Sequence, residues 1–183
     1  MSFQYIRFFA EISITDVDSV GGKNASLGEM YRELAPQGIK VPNGFATTAN
    51  AYHHFLRHNQ LEEPIAQELR TLDVHNTQAL AKTGETIRQW INNAEIPADL
   101  ALEIKHAYQE LEAEYGRGVD VAVRSSGTAE DLPEASFAGQ QETHLNISGY
   151  SELIHSCRQI FASLFTNRAI SYRSDKGFDH MAV

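Results

Sequence analysis

The stretch VAVRSSGTAEDLPEASFAGQQETHLN, residues 121–146, predicts a strand, a long loop and a second strand. Val121, Ala122 and Val123 are small or β-branched apolar residues, which is typical of a short buried strand that ends at Arg124. After the loop, residues 143–147 alternate in polarity and predict a returning strand. The fold should therefore contain a sheet that presents a long loop at one end.

The loop from Ser125 to Gly139 consists mostly of small residues, and Pro133 argues against a helix there. Small residues let the backbone approach a ligand closely, and hydroxyl groups with backbone N–H groups can form an anion-binding concavity. Arg124, at the strand end, can hold two phosphate oxygens at once. These residues favour a phosphate-binding loop; the alternative is a surface hairpin with a long disordered tip.

A second glycine site lies near the N-terminus, in VGGKNASLGEM, residues 20–30. Apolar residues follow Lys23 at helical spacing, which predicts that Lys23 lies at a helix N-terminus where an anion is favoured. The motif is not a Walker A sequence, because Asn24 stands where serine or threonine would bind magnesium. The alternative is a plain helix-entry turn. The predicted apolar face comprises Leu27, Met30, Tyr31 and Leu34.

Together the two sites resemble the N-terminal nucleotide-binding region of the phosphoenolpyruvate synthase family, which is related to pyruvate phosphate dikinase. The resemblance spans nearly the whole chain, from about Asp16 to His180. Gly127 departs from the alanine usual in the family, which should loosen the loop without putting a role in doubt. The matching segments are DVDSVGGKNASLGEM from Asp16, VPNGFATTANAY from Val41, IRQWI from Ile87, VAVRSSGTAEDLPEASFAGQQETHLNI from Val121 and FASLFTNRAISYR from Phe161.

The resemblance implies an α+β fold: an ATP-grasp-like N-terminal lobe with a small mixed or antiparallel sheet and five or six helices. It also implies that MgATP donates a phosphoryl group to a histidine on another domain, from which it passes to pyruvate. The products are AMP, phosphoenolpyruvate and phosphate. By resemblance, Lys23 and Arg124 match the family's catalytic phosphate contacts. Arg168 matches a weaker third cation, for which the alternative is an exposed helix arginine. The phosphate-covering loop is matched by Ser125, Ser126, Gly127, Thr128 and Gly139.

The 183 residues are enough for one domain with a core, and too few for the three domains of the complete enzyme. We therefore expect residues 1–183 to be the N-terminal part of the nucleotide-binding region. Three parts would lie outside this chain: the rest of the nucleotide-binding region with its magnesium ligands, the phosphohistidine domain, and the pyruvate-binding barrel. The isolated chain is therefore expected to be inactive. The alternatives are a stand-alone nucleotide-binding module and the ATP region of a related dikinase or rifampicin phosphotransferase.

Charge and composition narrow the classes of partner. The formal net charge of −9 disfavours nucleic acid and acidic membrane surfaces. No apolar run approaches the roughly 18 residues of a membrane span. The single cysteine, Cys157, rules out an internal disulfide and suggests a reducing compartment, so we expect a cytoplasmic protein without a metal cluster of its own in this chain.

The remaining patterns predict the scaffold. A first strand is expected near residues 3–8 and another after VPNGF, residues 41–45, with Thr48 capping the next helix. A cap-like start at Asn76 and a proline at Pro97 predict two further helix beginnings. Apolar stripes predict buried helix faces at Leu100, Ile104, Tyr108, Leu111 and Tyr115, and at Leu153, Ile154, Cys157, Ile160, Phe161, Leu164 and Phe165.

Overall fold

The computed structural model describes residues 3–128 and 142–181, and these form seven α-helices and two antiparallel two-stranded sheets. The α+β class is confirmed. The described residues contain one or two more helices than predicted, and two separate small sheets instead of one. The helices are α1 (Val17–Leu34), α2 (Ala49–His58), α3 (Glu62–Arg70), α4 (Thr77–Asn93), α5 (Ala98–Tyr115), α6 (Tyr150–Ser163) and α7 (Asn167–Lys176), and the strands are β1 (Ile6–Phe8), β2 (Phe45–Thr47), β3 (Asp120–Arg124) and β4 (Thr143–Ser148).

Strands β3 and β4 form the predicted antiparallel pair that carries the long loop. Arg124 pairs with Thr143 at the loop end, and a register shift follows Val121. Val121 and Val123 are only half-buried, so the expectation of a fully buried strand is wrong. The reason is that α6 packs against this sheet through one set of alternating side chains, while the intervening side chains remain exposed.

Strands β1 and β2 form an antiparallel pair, which holds the N-terminal segment beside the start of α2. Phe8 pairs with Phe45, and their rings lie 6.2 Å apart in an edge-to-face arrangement. Thr48 follows β2 and caps α2, since its side-chain oxygen accepts from the Ala51 backbone N–H at 3.2 Å. Both predicted strands and the predicted cap are confirmed, and β2 leads directly into the N-terminus of α2.

The other helix boundaries follow their capping residues. Asn76 caps α4 by accepting from the Ala79 N–H at 3.1 Å. Pro97 occupies the N-cap position of α5, and Gly116 follows the last helical residue, Tyr115, as the C-cap. Each of these positions agrees with the sequence prediction to within a residue. No helix in the described ranges is long and apolar enough to cross a membrane.

The main core lies between α2, α4, α5 and α6. Phe55, Ile87 and Ile104 are completely buried in it, and each such side chain contributes about 1.5–3 kcal/mol through removal from water. The predicted α6 stripe is largely buried and continues past the helix end to Phe165. Tyr115 is an exception to the α5 prediction, because its side chain is 47% exposed at the end of the helix.

Helix α1 buries a different face from the one predicted. Met30 is 42% exposed, and Leu27, Tyr31 and Leu34 are only partly buried. A methyl group on Gly28 would lie 2.6 Å from Ile12 Cβ, so α1 packs closely on the preceding 3-10 turns through small residues. The buried face comprises Val20, Gly21, Gly22, Ala25 and Gly28.

Candidate functional site

Helix α1 breaks at Gly21, within the glycine motif. Gly21 has φ 76° and ψ 160°, a conformation that is essentially restricted to glycine. The helix resumes after this residue, so Lys23 lies in the first turn of the second segment. The predicted position of Lys23 at a helix N-terminus is confirmed, although a helical turn beginning at Val17 precedes the break.

The loop after β3 packs directly on this break. The Asn24 backbone N–H donates to Ser126 Oγ at 3.1 Å. A Cβ atom on Gly21 would lie only 2.1 Å from the Ser126 carbonyl oxygen, so the two backbones meet where no side chain fits. The Asn24 side-chain amide also donates to the Val20 carbonyl at 2.9 Å and holds the two sides of the break together. The two predicted anion sites are therefore in contact.

A cleft opens beside this contact. Its walls come from four segments that are distant in sequence: the start of α1, the junction of β2 and α2, the loop after β3, and the end of α6. The first three contribute mostly hydroxyl and amide groups, and α6 contributes apolar side chains. The lining residues are Ser19, Val20, Asn24, Thr47, Thr48, Ala49, Tyr52, Arg124, Ser125, Ser126, Gly127, Thr128, Ile160, Phe161 and Leu164.

Five of the sequence-predicted site residues line the cleft. Arg124 is an exposed residue at the end of β3 and lines the cleft. Ser125 is buried, with 6% of its surface exposed. Ser126, Gly127 and Thr128 are partly buried and continue the same wall. The arrangement puts one guanidinium beside a run of small residues, as the sequence predicted.

Lys23 and Arg168, two other predicted site residues, do not line the cleft in the described part of the chain. Lys23 is partly buried and is the sequence neighbour of Asn24, which lines the cleft. Lys23 itself is not among the described residues that form the cleft wall. Arg168 is exposed in the first turn of α7 and is likewise outside that wall. Gly139 lies outside the described residues.

Sequence reasoning missed the contribution of the β2–α2 junction. Thr48 was predicted only as a helix cap and Tyr52 was not singled out, yet both line the cleft. A signal was present, because both lie in VPNGFATTANAY, one of the segments that carry the family resemblance. Phe161 and Leu164 were assigned only to a core stripe, although they also form the apolar wall.

A buried cation lies behind the cleft. Arg173 is 1% exposed, and its guanidinium donates to the Leu164 carbonyl at 2.6 Å and to His180 Nδ1 at 3.2 Å. The guanidinium also lies over the Phe165 ring, 5.4 Å from its centre. Burial lowers the pKa of Arg173 to about 10, so it remains charged at neutral pH. Among the described residues, no carboxylate forms a salt bridge with it.

The described residues offer no ready ligand set for a metal. They contain no group of three or more histidine, cysteine, aspartate or glutamate side chains that could hold an ion. The cleft lining itself supplies hydroxyls, backbone N–H groups and the Arg124 side chain, which suit an anion.

The family model of the pyruvate phosphate dikinase AMP/ATP-binding domain matches residues 17–183. The chain belongs to this family. All lining residues of the cleft lie within the matched range. The family resemblance inferred from the motifs is therefore confirmed, and the cleft belongs to the part of the chain that defines this AMP/ATP-binding domain family.

Individual relatives agree with the family model. The chain is 52% identical to a phosphoenolpyruvate synthase of Neisseria meningitidis serogroup B, over 100% of this chain and 23% of the relative. It is 53% identical to that of Deinococcus radiodurans, over 97% of the chain and 22% of the relative. For Escherichia coli K12 the identity is 47%, with the same two shares, 97% and 22%. The chain thus spans less than a quarter of the length of these relatives.

Proposed function

We propose that this chain is the ATP-binding part of a phosphoenolpyruvate synthase. The complete enzyme would convert ATP, pyruvate and water to phosphoenolpyruvate, AMP and phosphate through a phosphohistidine. The observation that carries the proposal is the hydrogen bond between the Asn24 N–H and Ser126 Oγ, because it joins two predicted anion sites in one place. Similarity to relatives named phosphoenolpyruvate synthase supports the choice of reaction.

The proposed roles follow from the chemistry of phosphoryl transfer. Charge accumulates on the outer oxygens of the transferred group, so catalysis rests mainly on positioning and on nearby cations. Arg124, exposed at the cleft, would bind two of these oxygens in a bidentate geometry. Lys23, in the first turn after the α1 break, would act as a compact point charge. Exchanging the two residue types should therefore impair both positions.

The loop would supply close backbone contacts. Ser125, Ser126, Gly127 and Thr128 would surround the phosphates from one side, with Gly139 at the far end of the same loop. Arg168 is proposed as a weaker third cation, since an exposed charge acts through solvent and salt.

The proposal places several components elsewhere in the longer polypeptide. ATP is expected as its magnesium complex, but the described residues supply no set of metal ligands, so we assign no step to the ion here. The phosphohistidine domain and the pyruvate site would likewise come from other parts of a cytoplasmic enzyme. The isolated chain, given pyruvate and MgATP, should form no phosphoenolpyruvate; measurable turnover would overturn this part of the proposal.

The residue roles can be tested in the full-length protein by following two half-reactions. Lys23→Ala and Arg124→Ala should depress phosphorylation of the histidine by ATP and spare phosphoryl exchange between that histidine and phosphoenolpyruvate. Arg117→Ala is a matched control, because Arg117 is also exposed but precedes β3 at the opposite end of the strand. Equal loss of both half-reactions, or equal loss in the control, would contradict the assigned roles.

A further inference from the structure

Tyr52 carries a buried hydroxyl that the fold leaves unpaired. Its side chain is 5% exposed, and its Oη atom has no hydrogen-bond partner among the described residues. Tyr108 shows the usual alternative: it is 3% exposed, donates to the Val119 carbonyl at 2.6 Å and accepts from the Gly149 N–H at 2.9 Å. An unpaired buried hydroxyl destabilises a fold, so its retention at Tyr52 needs a cause outside the packing.

The position of Tyr52 suggests that cause. The residue lies in the first turn of α2 and lines the same cleft as Asn24 and Ser126. The Thr48 side chain accepts a hydrogen bond from the Ala51 N–H. The backbone N–H groups of Ala49 and Asn50, at the start of the helix, have no acceptor within the helix. The positive end of a ten-residue helix therefore meets the cleft beside the tyrosine.

The charges around Tyr52 define what it could bind. Burial raises the pKa of Tyr52, and this effect outweighs the nearby Arg173 charge that lowers it, so the hydroxyl keeps its proton and can donate. Glu62 also raises the pKa of Tyr52. Arg173 is buried and paired with a carbonyl and an imidazole instead of a carboxylate in the described part of the chain. Arg173 thus brings a positive charge to the backbone of Leu164, a residue of the cleft wall, and this charge acts on Tyr52.

We propose that the Tyr52 hydroxyl donates a hydrogen bond to a phosphate oxygen of the bound nucleotide, in a subsite it forms with the first turn of α2. This inference rests on the proposed nucleotide-binding function and extends it to a residue outside the glycine motif and the loop. Tyr52 then joins the cleft's polar wall, to which α1, residues 47–48 and residues 124–128 also contribute.

The test measures stability and anion binding in the same two variants of the full-length protein. Tyr52→Phe removes the unpaired hydroxyl, so thermal stability should stay unchanged or rise, while affinity for tripolyphosphate and MgATP should fall about tenfold or more. Tyr108→Phe is the matched control. It removes two hydrogen bonds between residues that do not line the cleft, so stability should fall and affinity of the folded protein should not change.

The outcomes separate this inference from the proposed function. If the parent chain and Tyr52→Phe bind MgATP equally, the inference is wrong and the nucleotide site stands. If the parent binds tripolyphosphate through Tyr52 but not MgATP, the subsite stands and the nucleotide assignment for this chain fails. Absence of binding to either probe by the full-length parent overturns both. A clear loss of stability in Tyr52→Phe would also contradict the inference, because it would mean that the hydroxyl is paired within the fold.

Discussion

The backbone N–H of Asn24 donates to Ser126 Oγ at 3.1 Å, across 102 positions of sequence. Ser126 thereby serves the second segment of α1 as a long-range cap, in the way that Thr48 caps α2 from the adjacent position. The position of the loop and the start of the helix are therefore coupled, and variants at either side should affect the other.

Gly21→Ala should destabilise the protein strongly. The φ of 76° with ψ 160° is unfavourable for alanine, and the new methyl group would lie 2.1 Å from the Ser126 carbonyl oxygen. Backbone strain alone costs on the order of 1–3 kcal/mol, and relief of the collision requires the loop to move away. Urea unfolding would measure the loss of stability.

The control for this variant is Gly38→Ala. Gly38 also has a positive φ, 82°, but no atom lies within 4 Å of the position where a Cβ would be. It should therefore lose only the backbone contribution, about 1 kcal/mol. Equal losses at the two glycines would show that contact with the loop adds nothing to the stability of α1.

Ser126→Ala should lower the free energy of unfolding by about 1 kcal/mol. The substitution removes the acceptor of the Asn24 N–H, while the rest of the loop backbone is unchanged. Chemical denaturation followed by circular dichroism would detect the change. Ser126→Thr keeps a hydroxyl at the same position and should lose less; identical losses in the two variants would argue that the hydrogen bond is not the cause.

Asp16 should contribute to acid stability. Hydrogen bonding from the Arg7 guanidinium at 2.7 Å, followed by that from the Ser13 N–H at 2.8 Å, lowers the pKa of Asp16 from 3.8 to about 2. Because the folded-state pKa is the lower one, this stabilisation is present above about pH 4 and disappears as the pH falls towards 2. Asp16→Asn should flatten the decline of stability across that range.

The comparison for Asp16 is Asp120→Asn, since Asp120 is exposed at the start of β3. Thermal melts of the parent and both variants between pH 2 and 5 would give the three slopes. An unchanged slope in Asp16→Asn, or an equal flattening in Asp120→Asn, would contradict the assignment.

The thiol of Cys157 should be protected in the folded protein. Cys157 is buried on α6, and burial raises its pKa from 9.0 to about 12. The thiolate needed for reaction is therefore scarce at pH 8. A disulfide reagent should modify the thiol slowly in buffer and rapidly in denaturant. Rapid labelling of the folded chain, with no loss of structure, would show that the site is open.

Local patterns in the sequence predicted most of the elements. Thr48 and Asn76 were identified as caps because capping depends on residues three positions apart, and both bonds are present. The face of α1 was predicted wrongly for a related reason. Periodicity identifies large apolar residues such as Met30, whereas close packing of Gly28 on Ile12 depends on a neighbour that periodicity does not reveal.

The sequence by itself determined the α+β class, the strand that ends at Arg124 and the family to which the chain belongs, because these depend on local spacing and on long matching segments. Only the tertiary structure decided that Ser126 caps the helix after Gly21 and that Tyr52 lies in the wall of the same cleft. Both facts depend on which segments, distant in sequence, pack against each other, and on whether a buried polar atom has a hydrogen-bond partner in the packed structure. Neither property is encoded in the spacing of residues along the chain.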